Sequence, residues 1–324
     1  MSFLAKLIIM EAIKPMPKVV YNTIKNRYEF IILFDVEYGN PNGDPDADNM
    51  PRIDPETNIG IVTDACIKRK IRNRIELDHS GDDGYDFAGE YDPENEKYDI
   101  YINRNGTLNS KDEAALKALK ENKVDKADEE RFVLDYMCGR YFDVRTFGAV
   151  MTSFTKNETK LSGNAGQLKG PVQITFSHSI DEVYPQNITI TRVAITSEKD
   201  ADKKNEMGNK WIIPYGLYRC EGFISANSAQ KTGFSEKDLE ELWNAILMMF
   251  EEDRSAARGK MVVRKLIIFK HNSKHGNAPA HKLLESVVVE KKDGVDSPRH
   301  FSDYNVIIPT NEELPDGVTI EVRD

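Results

Sequence analysis

Tyr28 to Val36 reads YEFIILFDV, followed by EYGNPNGDPDADNMPRIDPETNIGIV to Val62 and TDACIKRKIRNRIEL to Leu77. The first run is apolar on both parities apart from Glu29 and Asp35, which predicts a strand buried on both faces in the middle of a sheet. The second supplies Gly, Pro, Asn and Asp turn formers one after another and is too long for a mere connector. In the third, Thr63 or Asp64 caps a helix in which Ile67, Ile71 and Ile75 recur every four residues as a buried stripe. Lys68, Arg72 and Arg69 fall at about 100°, 140° and 200° from Ile67 around that helix. The helix is therefore expected to bury isoleucine and display cations.

Outward from this unit, the charge is segregated. The 324 residues carry 44 Lys+Arg against 54 Asp+Glu, a net charge of −10. Asp78 to Asp135 alone holds 17 acidic and 8 basic side chains, so the rest is close to neutral. Lys68 to Arg74 holds five basic residues and no acid, and Arg254 to Lys270 holds six and no acid. That pattern fits one acidic, solvated lobe and one surface that attracts an anion. The length suits about two domains, or one with large insertions. No uncharged apolar run approaches the roughly 20 residues of a membrane span. Cys66, Cys138 and Cys220 are odd in number and widely spaced, which argues against a disulfide framework and fits a reducing cytoplasm. MSFLAKLIIMEAI is interrupted by Lys6 and Glu11 and reads as an untargeted extension, with Met10 as an alternative start.

Between Asp78 and Arg131 the chain turns polar, with a helix expected behind a Ser110-x-x-Glu113 capping box; Phe132 to Met137 is expected to pack back on the main domain. Strands are predicted at Val172 to Ser177, 188–196, 211–225 and 261–269, with shorter ones at 287–290, 304–308 and 318–322. The second and third of these make a long hairpin with a charged tip. Ser235 caps an amphipathic helix with Leu239, Leu242, Trp243, Ile246, Leu247 and Phe250 on its apolar face. This order implies an α+β sheet with helices on one face, the ferredoxin-like, RNA-recognition-motif type being the leading candidate.

The chemistry-bearing motifs compete with bland readings. The basic helix face, the 254–270 stretch and Arg145, Lys169, Arg192 and Lys210 suit a polyanion's phosphates, or a solvated surface. GNAGQLKG (163–170) suits a phosphate-cradling nest or a plain hairpin loop. Asp44, Asp46, Asp48 and Asp54 lack the EF-hand spacing and read better as turn formers than as a Mg²⁺ or Ca²⁺ site. His271, His275 and His281 show no zinc-site spacing. Phe142, Phe147 and Phe154 flank Arg145, an arrangement suited to stacking on an unpaired base or to core packing.

The run RYEFIILFDVEYGNPNGDPDADNMPRIDPETNIGIVTDACIKRKIRN closely resembles the opening of the backbone subunit of type I-C CRISPR effector complexes (Cascade), of the RAMP superfamily. The likeness continues in DVRTFGAV, GPVQITFSHSI, ITITRVAIT, IIPYGLY, GFISA, KTGF, FEEDRSAARG, RKLIIFKH and GNAPAHKL, about Arg27 to Leu283. The resemblance implies an RNA-recognition-motif-like (ferredoxin-like) palm, a helical finger insertion and a β-hairpin thumb. The boundaries it suggests are an N-terminal extension 1–26, palm 27–77, acidic finger 78–131, palm 132–187, thumb 188–218 and palm 219–324. It implies a CRISPR RNA-binding, non-catalytic subunit that polymerises along the guide RNA and supports target DNA recognition in antiviral defence. Its partners would be further copies of itself, the guide-processing subunit and the large subunit, with no membrane, cofactor or metal.

Carried over, the resemblance marks Asn40, Asn42, Arg52, Lys68, Arg69, Arg72, Arg145, Thr146, Phe147, Gly148, Gln167, Lys169, Arg258 and Lys260 as RNA-contacting, with Arg192 and 207–210, notably Met207 and Lys210, on the thumb. Lys68 and Arg72 are expected to project from the polar helix face. Two other readings stand beside it. One is a metal-dependent ribonuclease of the type III backbone class, using Asp35, Asp44, Asp46 or Asp48. The other is an assembly protein whose acidic lobe docks on a neighbour's basic face.

Overall fold

The computed structural model describes residues 22–79, 98–151, 154, 166–193 and 206–324. In chain order its elements are β1 (Tyr28–Gly39), β2 (Gly43–Asp44), β3 (Met50–Pro51), β4 (Ile59–Val62), α1 (Asp64–His79), α2 (Leu108–Glu121), α3 (Glu129–Arg140), α4 (Phe142–Phe147), β5 (Gly148–Val150), β6 (Gln167–Lys169), β7 (Val172–Ile174), β8 (Ser177–Glu182), β9 (Gln186–Arg192), β10 (Glu206–Ile224), α5 (Ala226–Thr232), α6 (Glu236–Met248), β11 (Lys260–His271), α7 (Ala280–Glu285), β12 (Val288–Lys291), β13 (Tyr304–Ile307) and β14 (Val318–Arg323). The main sheet is antiparallel in the order β14-β11-β1-β10-β8-β4, with β7 and β9 also paired to β10.

β1 lies between β10 and β11, and its alternating sides enter two cores. Phe30, Ile32 and Phe34 meet Ile67, Ile71 and Ile75 of α1 and Leu242, Trp243 and Ile246 of α6. Phe34 stacks on Tyr218 at 5.3 Å, and Phe30 meets Trp243 edge-on at 5.1 Å. Ile31 and Leu33 face the other way, onto Leu283, Leu284, Val287 and Tyr304. The expectation of helices on one face is thus corrected: α7 and the β12–β13 hairpin cover the second face. Arg219 of β10 fixes that cover by donating to the carbonyls of Leu284 and Val287 at 2.6 and 2.7 Å. The folded region also begins before Arg27, because Ile24 is buried and its N–H donates to the Phe234 carbonyl at 3.1 Å.

A third core belongs to the lobe inserted after α1. Leu116 and Leu119 of α2 pack with Phe132, Val133, Tyr136 and Met137 of α3. Phe132 to Met137 therefore turns toward the lobe, not back to the main sheet as the sequence suggested. The helix α2 is capped by Thr107, whose hydroxyl accepts from the Ser110 N–H at 3.2 Å, so Ser110 is inside the first turn rather than the cap. Ser235 does cap α6, in a box closed by Asp238.

The hairpin stands off the body. Every β9 residue is exposed, and β10 continues past the sheet to pair with it, Met207 opposite Thr191 and Lys210 opposite Ile188. The departure point is Pro214, which has no N–H to donate and lies across from Tyr38, a residue with φ of 48°. Of the charged stretch read as the hairpin's tip, SEKDADKKNEMGN (197–209), residues 197–205 lie outside the described residues.

Inside the lobe Asp112 is buried and accepts the Tyr101 hydroxyl at 2.9 Å, and burial pushes its carboxyl up to about 6. An acid raised in the folded state binds more protons folded than unfolded. Its contribution is full below the ordinary carboxylate value of about 3.9 and is lost as pH rises through about 6. Asp112→Asn keeps an acceptor for Tyr101 without the charge. In urea melts it should be more stable than the parent by about 1–2 kcal/mol at pH 7.5 and equal to it near pH 3.5.

Candidate nucleic-acid interface

The first loop is locked to α1 by one side chain. Asn42 Oδ1 accepts from both the N–H and the hydroxyl of Thr63 at 3.0 Å, and Thr63 Oγ1 in turn accepts from the Cys66 N–H at 3.3 Å. Asp44 organises the β2–β3 turn, accepting from the Asp46 N–H at 3.2 Å and from Arg52 at 3.1 Å. Asp48 and Asn49 take left-handed backbone at φ 52° and 61°. These aspartates act as turn formers, as their spacing indicated.

The same loop meets the second basic stretch. Asn40 N–H donates to the Ala257 carbonyl at 2.6 Å, and its side chain is buried with Nδ2 on the Asn49 carbonyl at 2.7 Å. Lys70, 1% exposed, reaches from α1 to Asp253, which also pairs with Arg258 at 3.1 Å. Burial drives the Lys70 ammonium down to about 7. Lys70 and Asp253 were missed in the sequence; Lys70 was only one of five cations in a row, and nothing in the spacing singled it out as the buried one.

On the other side of α1, Lys68 sits over the Phe147 ring at 5.6 Å and pairs with Asp64 at 2.9 Å. Gly148 follows Phe147 at φ 82° and pairs with Lys169 of β6. A Cβ on Gly148 would lie 2.2 Å from the Leu168 carbonyl oxygen, so only glycine lets these strands close. Gln167 and Lys169 are exposed. Loop 40–52, α1, segment 253–260 and strands β5 and β6 therefore form one continuous surface. Arg192, Met207 and Lys210 stand apart on the hairpin, where Val193, 81% exposed, accompanies Met207, 76% exposed, so Met207 is not the sole apolar side chain toward that end.

Five of the residues marked as ligand contacts are buried: Asn40, Arg72, Arg145, Thr146 and Phe147. Arg72 Nε donates to Asp143 at 2.8 Å, and Asp143 also accepts the Tyr101 and Ile102 N–H groups at 2.8 and 3.0 Å. Arg145 donates from Nε and Nη2 to Asp238 at 2.9 and 2.8 Å and from Nη1 to the Cys138 carbonyl at 3.1 Å. Both arginines fasten the lobe to the helices of the main sheet. The wheel angle put Arg72 on the open face because the sequence did not reveal that the lobe lies there. Phe142 and Phe154 are fully buried too, so core packing accounts for all three aromatics.

Four of the remaining cations are held by an acid. Arg52, Lys68 and Arg258 face Asp44, Asp64 and Asp253, and Lys260 contacts Glu37. Arg69 and Lys169 are exposed with no acid against them among the described residues. Of the aspartates considered for metal-dependent cleavage, Asp35 is buried mid-strand, paired with Arg264 at 2.9 Å and accepting the Tyr215 hydroxyl at 3.1 Å. Burial raises its carboxyl above the usual range. Among the described residues no group of three His, Cys, Asp or Glu side chains could hold a metal ion. His271 is spent on Glu29 at 2.6 Å. No helix among them is long and apolar enough to cross a membrane.

The sequence profile of the family described as CRISPR-associated protein Cas7 matches residues 26–309. The chain belongs to the Cas7 family. The CRISPR-associated protein Cas7 of Haloferax volcanii is 27% identical over 319 residues, covering 91% of this chain and 86% of its own. Among solved structures, a chain of a CRISPR RNA-guided surveillance complex, pre-nicking, has TM-score 0.45 at 13% identity and covers 75% of this chain and 78% of that one. A second surveillance-complex chain has TM-score 0.43 at 12% identity, covering 83% and 78%. Cas7 proteins are backbone subunits of CRISPR effector complexes. In this Cas7 the exposed and buried arginines of α1 separate experimentally. Arg72→Ala strands the buried Asp143 and should cost about 3–5 kcal/mol in urea denaturation, whereas Arg69→Ala should stay within about 0.5 kcal/mol of the parent.

Proposed function

We propose that this Cas7 chain binds CRISPR RNA as the backbone subunit of a type I-C Cascade complex. The observation that carries the reading is the convergence of loop 40–52, α1, segment 253–260 and strands β5 and β6 on one surface. Arg52, Lys68, Arg69, Lys169, Arg258 and Lys260 all lie on these segments. Their cations suit the evenly spaced phosphates of a single strand, a binding mode that does not depend on base sequence. In RNA-guided effectors base pairing reads the target and the protein holds the backbone, so a cationic surface that grips phosphate is what the task requires.

The architecture supports the same reading. Strands β11, β1, β10 and β8 lie side by side with α1 and α6 on one face, following β1 and β10, which is the connectivity of an RNA-recognition-motif-like palm. The lobe built on α2 and α3 is the finger, and the free-standing β9–β10 hairpin is the thumb. Its exposed Val193 and Met207 suit insertion between bases of a strand held by a neighbouring copy. Further copies of the chain, the guide-processing subunit, the large subunit and target DNA are the proposed partners, in the cytoplasm.

Binding of labelled single-stranded RNA, measured across a salt series, tests this. Replacing Lys68 and Arg69 with Ala should weaken binding roughly tenfold near 0.1 M salt and flatten the log–log salt slope by about 1.4, at about 0.7 per phosphate lost. Unchanged affinity and slope would remove the surface from the RNA path. A Mg²⁺-dependent ladder of fixed spacing, lost in Asp46→Ala, would favour the ribonuclease reading instead.

A further inference from the structure

A cleft of about 360 Å³ opens at one end of the central strands of the main sheet, between the end of β10 and the loop after β11, with Lys169 in its lining. Arg27, Lys169, Gln173, Phe223, Asn227 and Lys274 are among its walls. Lys169 belongs to the surface described above, so the cleft continues that surface onto residues outside it. Lys169 and Lys274 are exposed, and among the described residues neither has a carboxylate paired with it.

The third cation is held rigidly. Arg27 donates from Nε to Glu29 at 2.6 Å, pairs with it through Nη2 as well, and donates from Nη1 to the His275 carbonyl at 3.1 Å, while its own N–H donates to the Ser273 carbonyl at 3.1 Å. Glu29 is fully buried and is itself fixed by His271. The imidazole Nδ1 accepts the Asn277 N–H at 2.8 Å, so Nε2 carries the proton and donates to Glu29. Gly276, at φ 88°, completes the mount: a Cβ there would lie 2.5 Å from Arg27 Nη1. A guanidinium has five N–H donors, and the bonds above leave some of Arg27's for a ligand.

We infer that this cleft is a second RNA subsite, holding one phosphodiester of the bound strand on Arg27, Lys169 and Lys274 while its nucleoside lies against Phe223 and the Gln173 and Asn227 amides. The inference rests on the RNA-binding reading and extends it to residues that reading does not use. Several features argue for a nucleotide. The volume falls within the range of small-ligand sites, roughly 300–1,000 Å³. Three cations line the cleft, and the one carboxylate of the lining, Glu29, is already taken by Arg27 and His271. The N–H groups that a fixed guanidinium keeps beyond its protein partners suit a phosphate oxygen as charge-assisted donors. Amides and an aromatic ring beside it supply the contacts that an unpaired nucleoside accepts.

The test uses the full chain freed of nucleic acid, with fluorescein-labelled single-stranded RNA as the probe. Lys274→Ala removes one cation, and Asn227→Asp adds a carboxylate to the cleft wall that repels the strand's phosphate; both side chains are exposed, so thermal midpoints should not move. Lys274→Ala should weaken RNA binding about fivefold near 0.1 M salt and flatten the salt slope by about 0.7. Asn227→Asp should weaken it at least as much. Both effects should multiply with that of the Lys68 and Arg69 double replacement, because separate phosphates are involved. If both cleft variants bind RNA within twofold of the parent while the double replacement is weakened, the cleft is not a subsite and the proposed function stands. If the double replacement is unaffected as well, both readings fail. Should Lys274→Ala leave RNA binding intact and weaken only the capture of single-stranded DNA by the RNA-loaded protein, the assignment to the RNA strand is overturned.

Discussion

The six residues of α4 join the lobe to the main sheet through two buried ion pairs. Asp143 turns to α1 and holds Arg72, while Arg145 turns to α6 and is held by Asp238. Phe142 enters the core beneath the sheet and Val144 the core of the lobe, so the helix lies on the seam between them. Each carboxylate has a second duty: Asp143 accepts two backbone N–H groups of the segment entering the lobe, and Asp238 closes the cap of α6. Desolvating four charges is costly, and such pairs persist when further hydrogen bonds support the carboxylates, as the backbone N–H groups and the Ser235 cap do here. The outcome is a lobe tied to both helices of the main sheet, with Lys68 of α1 held over the Phe147 ring of α4.

Electrostatics at the interface follow a similar rule of restraint. A bare cluster of lysines and arginines on α1 would repel itself, and the fold answers by seating most of them beside an acid. Lys70 is taken out of the surface altogether and ties α1 to the segment carrying Arg258 and Lys260. A phosphate approaching Arg52 or Lys68 thus meets a side chain already oriented, at the expense of competing with its carboxylate. Arg69, Lys169 and Lys274 carry no such competition among the described residues and supply the uncompensated charge. The net charge of −10 is compatible with this surface because much of the acid sits in the lobe sequence.

Much of the fold was legible beforehand because the signals are local. The double-sided apolar run of β1, the four-residue isoleucine repeat of α1 and the Ser235 cap each follow from chain geometry and from which groups must leave water. The candidate interface was legible by segment, since the first loop, α1 and the 254–270 stretch do meet in space. The individual assignments at Arg72 and Arg145 differ from the sequence expectation for one reason: exposure depends on what else packs there. A helical wheel places Arg72 away from the isoleucine stripe, and only the lobe, arriving from more than sixty residues further on, closes over it.

Residue type and spacing by themselves determined that this chain builds a sheet with amphipathic helices, a turn-rich first loop and segregated charge, because hydrophobic periodicity and turn chemistry act over a few residues. Which arginines face water and which hold the protein together was decided only in three dimensions. So was the mount of Arg27, where Glu29, His271, Ser273, His275 and Gly276 are brought to one place from opposite ends of the sequence. Burial and ion pairing are properties of neighbours distant along the chain, and the pattern of a linear segment carries no information about which neighbours arrive.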